Sequence, residues 1–170
     1  MDEIGPWWYG LQLESNPMIR ITRQTDYGIV LLSQMAASPP EEVHTAKQAA
    51  QQSGLPVPMA SKILKALARE GLLVSHRGVR GGYQLAASPE SISVGAVIRA
   101  LEGPIGITEC SYNPGACEQE GCCRVKTNWQ RISVAVIDAL DKIPLSEMAA
   151  PHPAILESQL VPLATLGGRA

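Results

Sequence analysis

The chain has 170 residues, of which 45% are hydrophobic and 18% are charged, so it can bury a core and is not a disordered polyampholyte. Its formal charge of −2 excludes a uniformly basic nucleic-acid coat but leaves room for a local basic patch. The sequence shows neither a signal peptide nor a run of about 18 uncharged apolar residues, so we expect a cytoplasmic protein without a membrane partner.

Helical spacing of apolar residues recurs in the first half of the chain. It predicts a first helix over residues 24–37, with Thr22 or Thr25 as the N-cap. A second helix fits residues 45–52, and a third fits residues 58–70. A Ser-Gly turn separates the second helix from the third, as in a helix-turn-helix motif.

A hairpin is predicted directly after these helices. Its strands are residues 72–75 and 83–86, and the segment 77–82 between them contains three glycines that suit a β-turn. Three helices followed by a glycine-rich hairpin are typical of a winged helix-turn-helix domain. A small helical domain with an incidental hairpin is the alternative.

The second half of the chain predicts a helix over residues 94–101, a cysteine-rich loop and then a long helix. Apolar residues recur along the long helix in steps of four and three, as in a heptad repeat. They are Val125, Trp129, Ile132, Val136, Ala139 and Ile143. We expect a dimerisation helix, with Trp129, Ile132, Val136 and Ile143 at the interface; packing on its own domain is the alternative.

Basic residues concentrate in the segment 56–82, where five of them accompany one acid and give a local sum of +4. Lys62, Lys65 and Arg69 are spaced three and four apart, so they share one face of the third predicted helix. This face is either a solvated surface or the DNA contact of a winged helix, and we predict DNA binding through phosphates, with base reading near the start of the helix. The candidate DNA-binding residues are Met59, Ser61, Lys62, Lys65, Arg69, Arg77 and Arg80.

Four cysteines lie in one short segment, at Cys110, Cys117, Cys122 and Cys123. Disulfides are not expected in a reducing cytosol, and the adjacent pair cannot bridge without strain. Structural zinc sites usually show paired C-x₂₋₄-C knuckles, and redox enzymes favour a C-x-x-C motif at a helix start, which is missing. An iron–sulfur cluster accepts widely spaced thiolates from one loop and fits best, with zinc as the alternative.

This order of elements resembles the winged-helix regulators of the IscR/NsrR type, which are bacterial transcription factors that carry an iron–sulfur cluster. The resemblance spans about residues 18–148, and its most specific parts are ITRQTDY at 21–27, RGVRGGY at 77–83 and the cysteine loop. In such regulators three cysteines bind the cluster, of the 2Fe–2S or 4Fe–4S type. Cys110, Cys117 and Cys123 match them, with six and five intervening residues.

The fourth ligand is where the chain departs from this pattern. IscR-type members place a histidine three residues after the last cysteine, whereas this chain has Lys126, which cannot ligate iron while protonated. NsrR-type members use an aspartate on the first helix of the partner subunit, and Asp26 matches it. We favour Asp26 over Cys122, the competing ligand, although Asp26 could simply offset the helix dipole.

The sequence thus predicts a DNA-binding transcriptional regulator and not an enzyme, because His44, His76 and His152 are scattered without a nucleophile and are expected at surface or turn positions. The resemblance favours control of suf or isc genes for iron–sulfur assembly. A nitric-oxide- or redox-responsive repressor and a zinc-stabilised regulator are the alternatives, and an electron carrier would need neither the basic helix nor the wing. The expected partners are a near-palindromic double-stranded operator, a second copy of the chain and cluster donor proteins.

Five parts make up the predicted organisation. They are a disordered extension (1–17), a mostly α-helical winged helix-turn-helix domain (18–103), a cysteine-rich loop (104–124), a dimerisation helix region (125–148) and a flexible tail (149–170).

Overall fold

The computed structural model describes residues 21–78 and 81–150, so the predicted extension, Arg80 and all but the start of the predicted tail lie outside it. Within these ranges the chain forms seven helices and one antiparallel pair of strands, which confirms the predicted mostly helical fold with a small hairpin. The helices are α1 (Arg23–Ala36), α2 (Ala46–Ser53), α3 (Val57–Arg69), α4 (Val94–Glu102), α5 (Glu109–Tyr112), α6 (Lys126–Asp141) and α7 (Leu145–Ala149). The strands are β1 (Leu73–His76) and β2 (Gly82–Leu85).

Side-chain caps set the starts of the first two helices. Thr22 is the N-cap of α1, where its hydroxyl accepts from the Thr25 N–H, whereas Thr25 is buried inside the helix. Thr45 and Gln48 form a reciprocal capping box at the start of α2, and Gly54 ends that helix with a φ of 68°. The short turn that follows lets α3 pack directly against α2.

The hairpin formed by β1 and β2 is the wing of the domain. It pairs Leu73 with Leu85 and His76 with Gly82, one residue away from the predicted strand limits. The other edge of β2 pairs with the loop before α2, where the backbones of His44 and Tyr83 exchange two hydrogen bonds of 2.8 Å. This loop therefore holds the wing at its root.

His44 lies at this junction and is 3% exposed, so the expectation of a surface histidine is wrong for it. His44 is buried because its backbone pairs with β2, and the residues next to it in the sequence do not indicate this long-range contact. His76 is exposed in β1, as expected, and His152 lies outside the described residues.

The core joins α1, α3 and α4 to a segment from the far end of the chain. Its fully buried side chains include Leu31, Leu32, Ile63, Leu64, Leu67, Val97 and Leu145. Leu145 belongs to α7, which packs against α1. The region predicted for dimerisation therefore also contributes to the core of the winged domain.

The end of α6 differs from the predicted heptad helix. The helix stops at Asp141, and Ile143 lies beyond it in a segment that pairs with the start of α4: the Val94 N–H donates to the Ile143 carbonyl at 2.9 Å. Pro144, the N-cap of α7, has no N–H with which to continue a helix. Ile143 is therefore not part of one continuous heptad helix as predicted, while its place at a dimer interface stays a prediction.

A charged contact fixes the end of α6 on α4. Both carboxylate oxygens of Asp141 accept from the Arg99 guanidinium, at 2.7 and 3.1 Å, and Oδ1 also accepts from the Ser93 hydroxyl. Gly95 lies directly beneath, where a Cβ would collide with the Asp141 carboxylate.

None of the described helices has the length and apolar character needed to cross a membrane.

Candidate DNA-binding face and cysteine loop

The exposed face of α3 carries the predicted DNA contacts. Its opposite face buries Ala60, Ile63, Leu64 and Leu67 in the core, so the helix is amphipathic. The candidates Met59, Lys62, Lys65 and Arg69 are exposed, and Ser61 is half-buried. The helix therefore turns its cations towards solvent, with the fixed orientation that a groove-binding helix requires.

Arg77 adds a cation at the tip of the wing, directly after β1, where it is exposed. Arg69 pairs with Glu70 at 3.0 Å, but both side chains are exposed, and surface ion pairs of this kind contribute little to stability. Arg80 lies outside the described residues.

The cysteine loop is built from consecutive tight turns. Backbone hydrogen bonds join Asn113 to Ala116, Cys117 to Glu120, and Gln119 to Cys122. Gly115 has a φ of 88°, which residues with side chains rarely adopt. Part of the segment predicted as a loop is instead the single-turn helix α5, which buries Cys110.

All four thiols are free, but they differ in accessibility. Cys110 is buried and lies 3.4 Å from the Thr108 hydroxyl, whereas Cys117 and Cys123 are half-buried. Cys122 is exposed, and its thiol donates to the Gln119 side-chain oxygen at 3.4 Å. The three thiols named as ligands are thus the less exposed ones, and the thiol of Cys122 contacts Gln119 instead.

The thiols and carboxylates do not form a complete metal site in one chain. Across residues 21–78 and 81–150, no group of three or more Cys, His, Asp or Glu side chains is arranged to hold a metal ion. Asp26 is exposed in the first turn of α1, on an element other than the cysteine loop. Its role as a ligand stays a prediction.

Lys126, at the position of the expected histidine, takes part in an ion pair within the loop. Its Nζ lies 2.8 Å from Glu120 Oε1, and the Gly115 N–H donates to Glu120 Oε2 at 2.6 Å. The hydrogen bond that Lys126 donates to Glu120, together with the charge of that carboxylate, raises the pKa of Lys126, and the nearby thiols of Cys110 and Cys123 raise it further. The lysine therefore stays a cation beside two of the predicted ligands.

The helix α6 leaves most of its apolar residues uncovered. Only Ser133 is buried on it, and the Ile107 N–H, just before α5, donates to its hydroxyl at 3.3 Å. Ile132 is 45% exposed and Val134 is 55% exposed, while Trp129 and Val136 are half-buried. An apolar helix face of this kind is typical of a surface that meets another protein.

A family model matches residues 21–151 of the chain; it is that of Rrf2, described as an iron-dependent transcriptional regulator. The chain belongs to the Rrf2 family. Members of this family are transcriptional regulators and not enzymes, which confirms the predicted class of protein.

The relatives of this Rrf2-family chain agree with the fold. Protein rrf2 of Nitratidesulfovibrio vulgaris is 30% identical over 130 residues, which cover 76% of this chain and 87% of the relative. The structure of CymR, the global cysteine regulator of Bacillus subtilis, has a TM-score of 0.60 at 30% identity and covers 77% of this chain and 96% of its own. The structure of T. potens IscR has a TM-score of 0.58 at 28% identity, with 76% and 85% covered. The predicted winged-helix fold and the resemblance to IscR-type regulators are confirmed.

One residue near the DNA-binding face was missed by the sequence analysis. Arg23, the first residue of α1, is exposed and shares a groove with Tyr27, Met59 and Lys62 at the start of α3. Arg23 stands in the segment 21–27 that carries the resemblance to the family, far along the chain from the basic segment 56–82. Its position beside the start of α3 extends the basic face onto α1.

Proposed function

We propose that this Rrf2-family regulator binds double-stranded DNA as a homodimer, through the exposed face of α3 and the wing. The exposed cations of α3, with Arg77 on the wing and Arg23 on α1, form one basic face on an otherwise acidic chain. In a two-fold dimer the two recognition helices enter successive major grooves about 34–36 Å apart, so the operator is near-palindromic. The uncovered apolar face of α6, with Trp129, Ile132 and Val136, is the proposed dimer contact.

The proposed cofactor is an iron–sulfur cluster held by Cys110, Cys117 and Cys123. The donor types support it, because thiolates are the usual ligands of iron–sulfur clusters and three free thiols lie in one short segment, although a single chain does not gather them into a finished site within the described residues. The fourth ligand proposed is the partner subunit's Asp26, with Cys122 as the alternative. Once bound, the cluster would supply a group whose stability depends on iron, oxygen or nitric oxide.

One observation carries the proposal that the cysteine loop regulates DNA binding. The loop is bonded to α6, and α6 is also fixed on the winged domain. Ser133 accepts from the Ile107 N–H at one side of the loop, and Lys126 pairs with Glu120 inside it. At its other end, α6 is held on α4 by the contact between Asp141 and Arg99. We propose that a change in the loop is passed to the winged domain through α6, which would link the ligand site to the candidate DNA-binding helix.

The targets that we propose are suf or isc genes for iron–sulfur assembly, under repression that depends on the state of the cluster. The family description as iron-dependent supports iron as the variable. Such a regulator acts in the cytoplasm, where it would receive its cluster from donor proteins. A repressor that senses nitric oxide or redox state would use the same residues.

Anaerobic purification of the full chain, followed by a visible spectrum and by iron, sulfide and zinc analysis, tests the cofactor. We expect a coloured protein with iron and sulfide in stoichiometric amounts, and the variant Cys117→Ala to lose both. A colourless protein that contains zinc would make it a zinc-stabilised regulator. A metal-free protein that still binds DNA would instead place it with relatives such as the cysteine regulator CymR.

The fourth ligand is tested by two alanine variants of the dimer. Asp26→Ala is expected to make the cluster labile, because an exposed carboxylate on α1 is free to reach a second subunit. Cys122→Ala is expected to leave the iron content and the spectrum unchanged. The opposite pattern would assign Cys122 as the ligand and contradict the proposal.

A further inference from the structure

Glu120 joins two parts of the cysteine loop. Its two carboxylate oxygens have different partners: Oε2 accepts from the Gly115 N–H at 2.6 Å, and Oε1 lies 2.8 Å from Lys126 Nζ. The Glu120 side chain is only 13% exposed, although its neighbours Glu118 and Gln119 are exposed. Because a carboxylate is poorly tolerated away from water without partners, these two contacts define its position.

The two partners of Glu120 lie on either side of the proposed ligands. Gly115 precedes Cys117, and Lys126 follows Cys123 as the first residue of α6. The contacts thus close the segment 115–126 into a ring that contains two of the three thiols named as ligands.

We propose that Glu120 is a positioning residue that closes this ring before any cluster is present, so that the thiols of Cys117 and Cys123 are presented together at the start of α6. This inference rests on the proposed cluster-binding function. The physical reason is preorganisation: a loop whose ends are already fixed loses less conformational entropy when its thiolates bind a common ligand. Glu120 acts through the backbone and Lys126, and it does not ligate iron.

The variant Glu120→Gln keeps the size of the side chain but removes the charge that attracts Lys126. Outer-sphere partners typically contribute about 10–100-fold to metal affinity, so we expect the cluster to be lost about tenfold faster from the reconstituted variant under a chelator such as EDTA. Glu118→Gln is the matched control, because Glu118 is an exposed acid in the same loop. It is expected to lose the cluster at the wild-type rate.

A second measurement needs no cluster. In the metal-free dimer, amide hydrogen exchange at Gly115 reports directly on the bond to Glu120, since that N–H is the donor. We expect faster exchange in Glu120→Gln and an unchanged rate in Glu118→Gln. Lys126→Met is expected to behave like Glu120→Gln, whereas Lys126→Arg keeps a cation and is expected to restore both slow exchange and cluster retention.

The outcomes distinguish a failure of the positioning role of Glu120 from a failure of the proposed cluster-binding function. A wild-type protein that takes up no iron overturns the proposed function, whatever Gly115 exchange shows. If the wild type holds a cluster but Glu120→Gln and Glu118→Gln lose it equally fast, the positioning role is wrong. If Glu120→Gln loses the cluster while Gly115 exchange is unchanged in the metal-free protein, Glu120 is itself a ligand and the inference is overturned.

Discussion

The variant Leu145→Ala tests whether the C-terminal helix α7 belongs to the core of the winged domain. Leu145 is 0% exposed and packs in the same cluster as Leu31 and Leu64. The substitution removes three carbon atoms, worth about 0.8 kcal/mol each in transfer free energy, which gives about 2.4 kcal/mol. Incomplete collapse of the resulting cavity adds to this, so we expect the free energy of unfolding to fall by about 3–4 kcal/mol.

Urea denaturation followed by far-ultraviolet circular dichroism measures this loss, at a fixed protein concentration because the stability of a dimer depends on concentration. The control is Met148→Ala, which changes a side chain on the same short helix that is 46% exposed. It is expected to cost under about 1 kcal/mol. If Leu145→Ala matches Met148→Ala, or if α7 melts separately and leaves the main midpoint unchanged, the reasoning is refuted.

Three further predictions follow from the DNA-binding face, the end of α6 and the wing. Lys62→Ala is expected to reduce the slope of log K against log salt for operator binding by about 0.9, whereas the exposed Lys142→Ala, away from that face, leaves it unchanged. Asp141→Asn is expected to cost about 0.5–1 kcal/mol of unfolding free energy at neutral pH. Because the hydrogen bonds from Arg99 lower the pKa of Asp141, this difference is complete above the ordinary carboxyl value of 3.8 and vanishes as the pH falls through the lowered pKa, which urea midpoints across acidic pH would follow. Gly82→Ala is expected to cost about 1–3 kcal/mol and to weaken operator binding in a gel-shift assay, since a Cβ there would lie 2.6 Å from a backbone carbonyl that anchors the wing.

Local patterns were sufficient to predict most of the winged domain. Helical spacing located α1, α2 and α3 within one or two residues, because the same local bonds that the pattern implies form in the structure, as at the N-cap Thr22. The basic stripe was also readable, since residues spaced three and four apart on a helix must share a face. The exposure of Lys62 and Lys65 opposite the buried Leu64 follows from amphipathic spacing alone.

Long-range pairing set the features that local patterns missed. His44 is buried because its backbone pairs with Tyr83, which lies far along the chain. Ile143 fits the heptad spacing, yet it leaves α6 because its carbonyl accepts from Val94 in the domain core. Spacing counts positions and does not record which backbone groups a distant segment will satisfy, so the burial of His44 was not accessible from the sequence. The end of α6 was accessible in part, because Pro144 directly after Ile143 is a helix-stop signal.

The cysteine loop shows the same limit for the site itself. The residue types and turns suggested a metal site, but one chain does not gather three metal-binding side chains in the described part of the structure. A donor from the partner subunit, such as the partner subunit's Asp26, cannot be read from spacing within one chain. The contact between Glu120 and Lys126 was not predicted from the sequence either. Charged residues of opposite sign are common in surface loops, and this pairing depends on the turn at Gly115.

The helix α6 connects the cysteine loop to the winged domain. It has 16 residues and therefore spans about 24 Å at 1.5 Å per residue. Its first residue, Lys126, is bonded to the cysteine loop and its last, Asp141, is bonded to α4, while Ser133 between them holds the chain before α5. Since α4 packs against both α1 and α3, α6 is connected through α4 to the helix that carries the candidate DNA contacts. The coupling that we propose between the cysteine loop and the winged domain therefore depends on α6 and on polar contacts that single substitutions can remove one at a time.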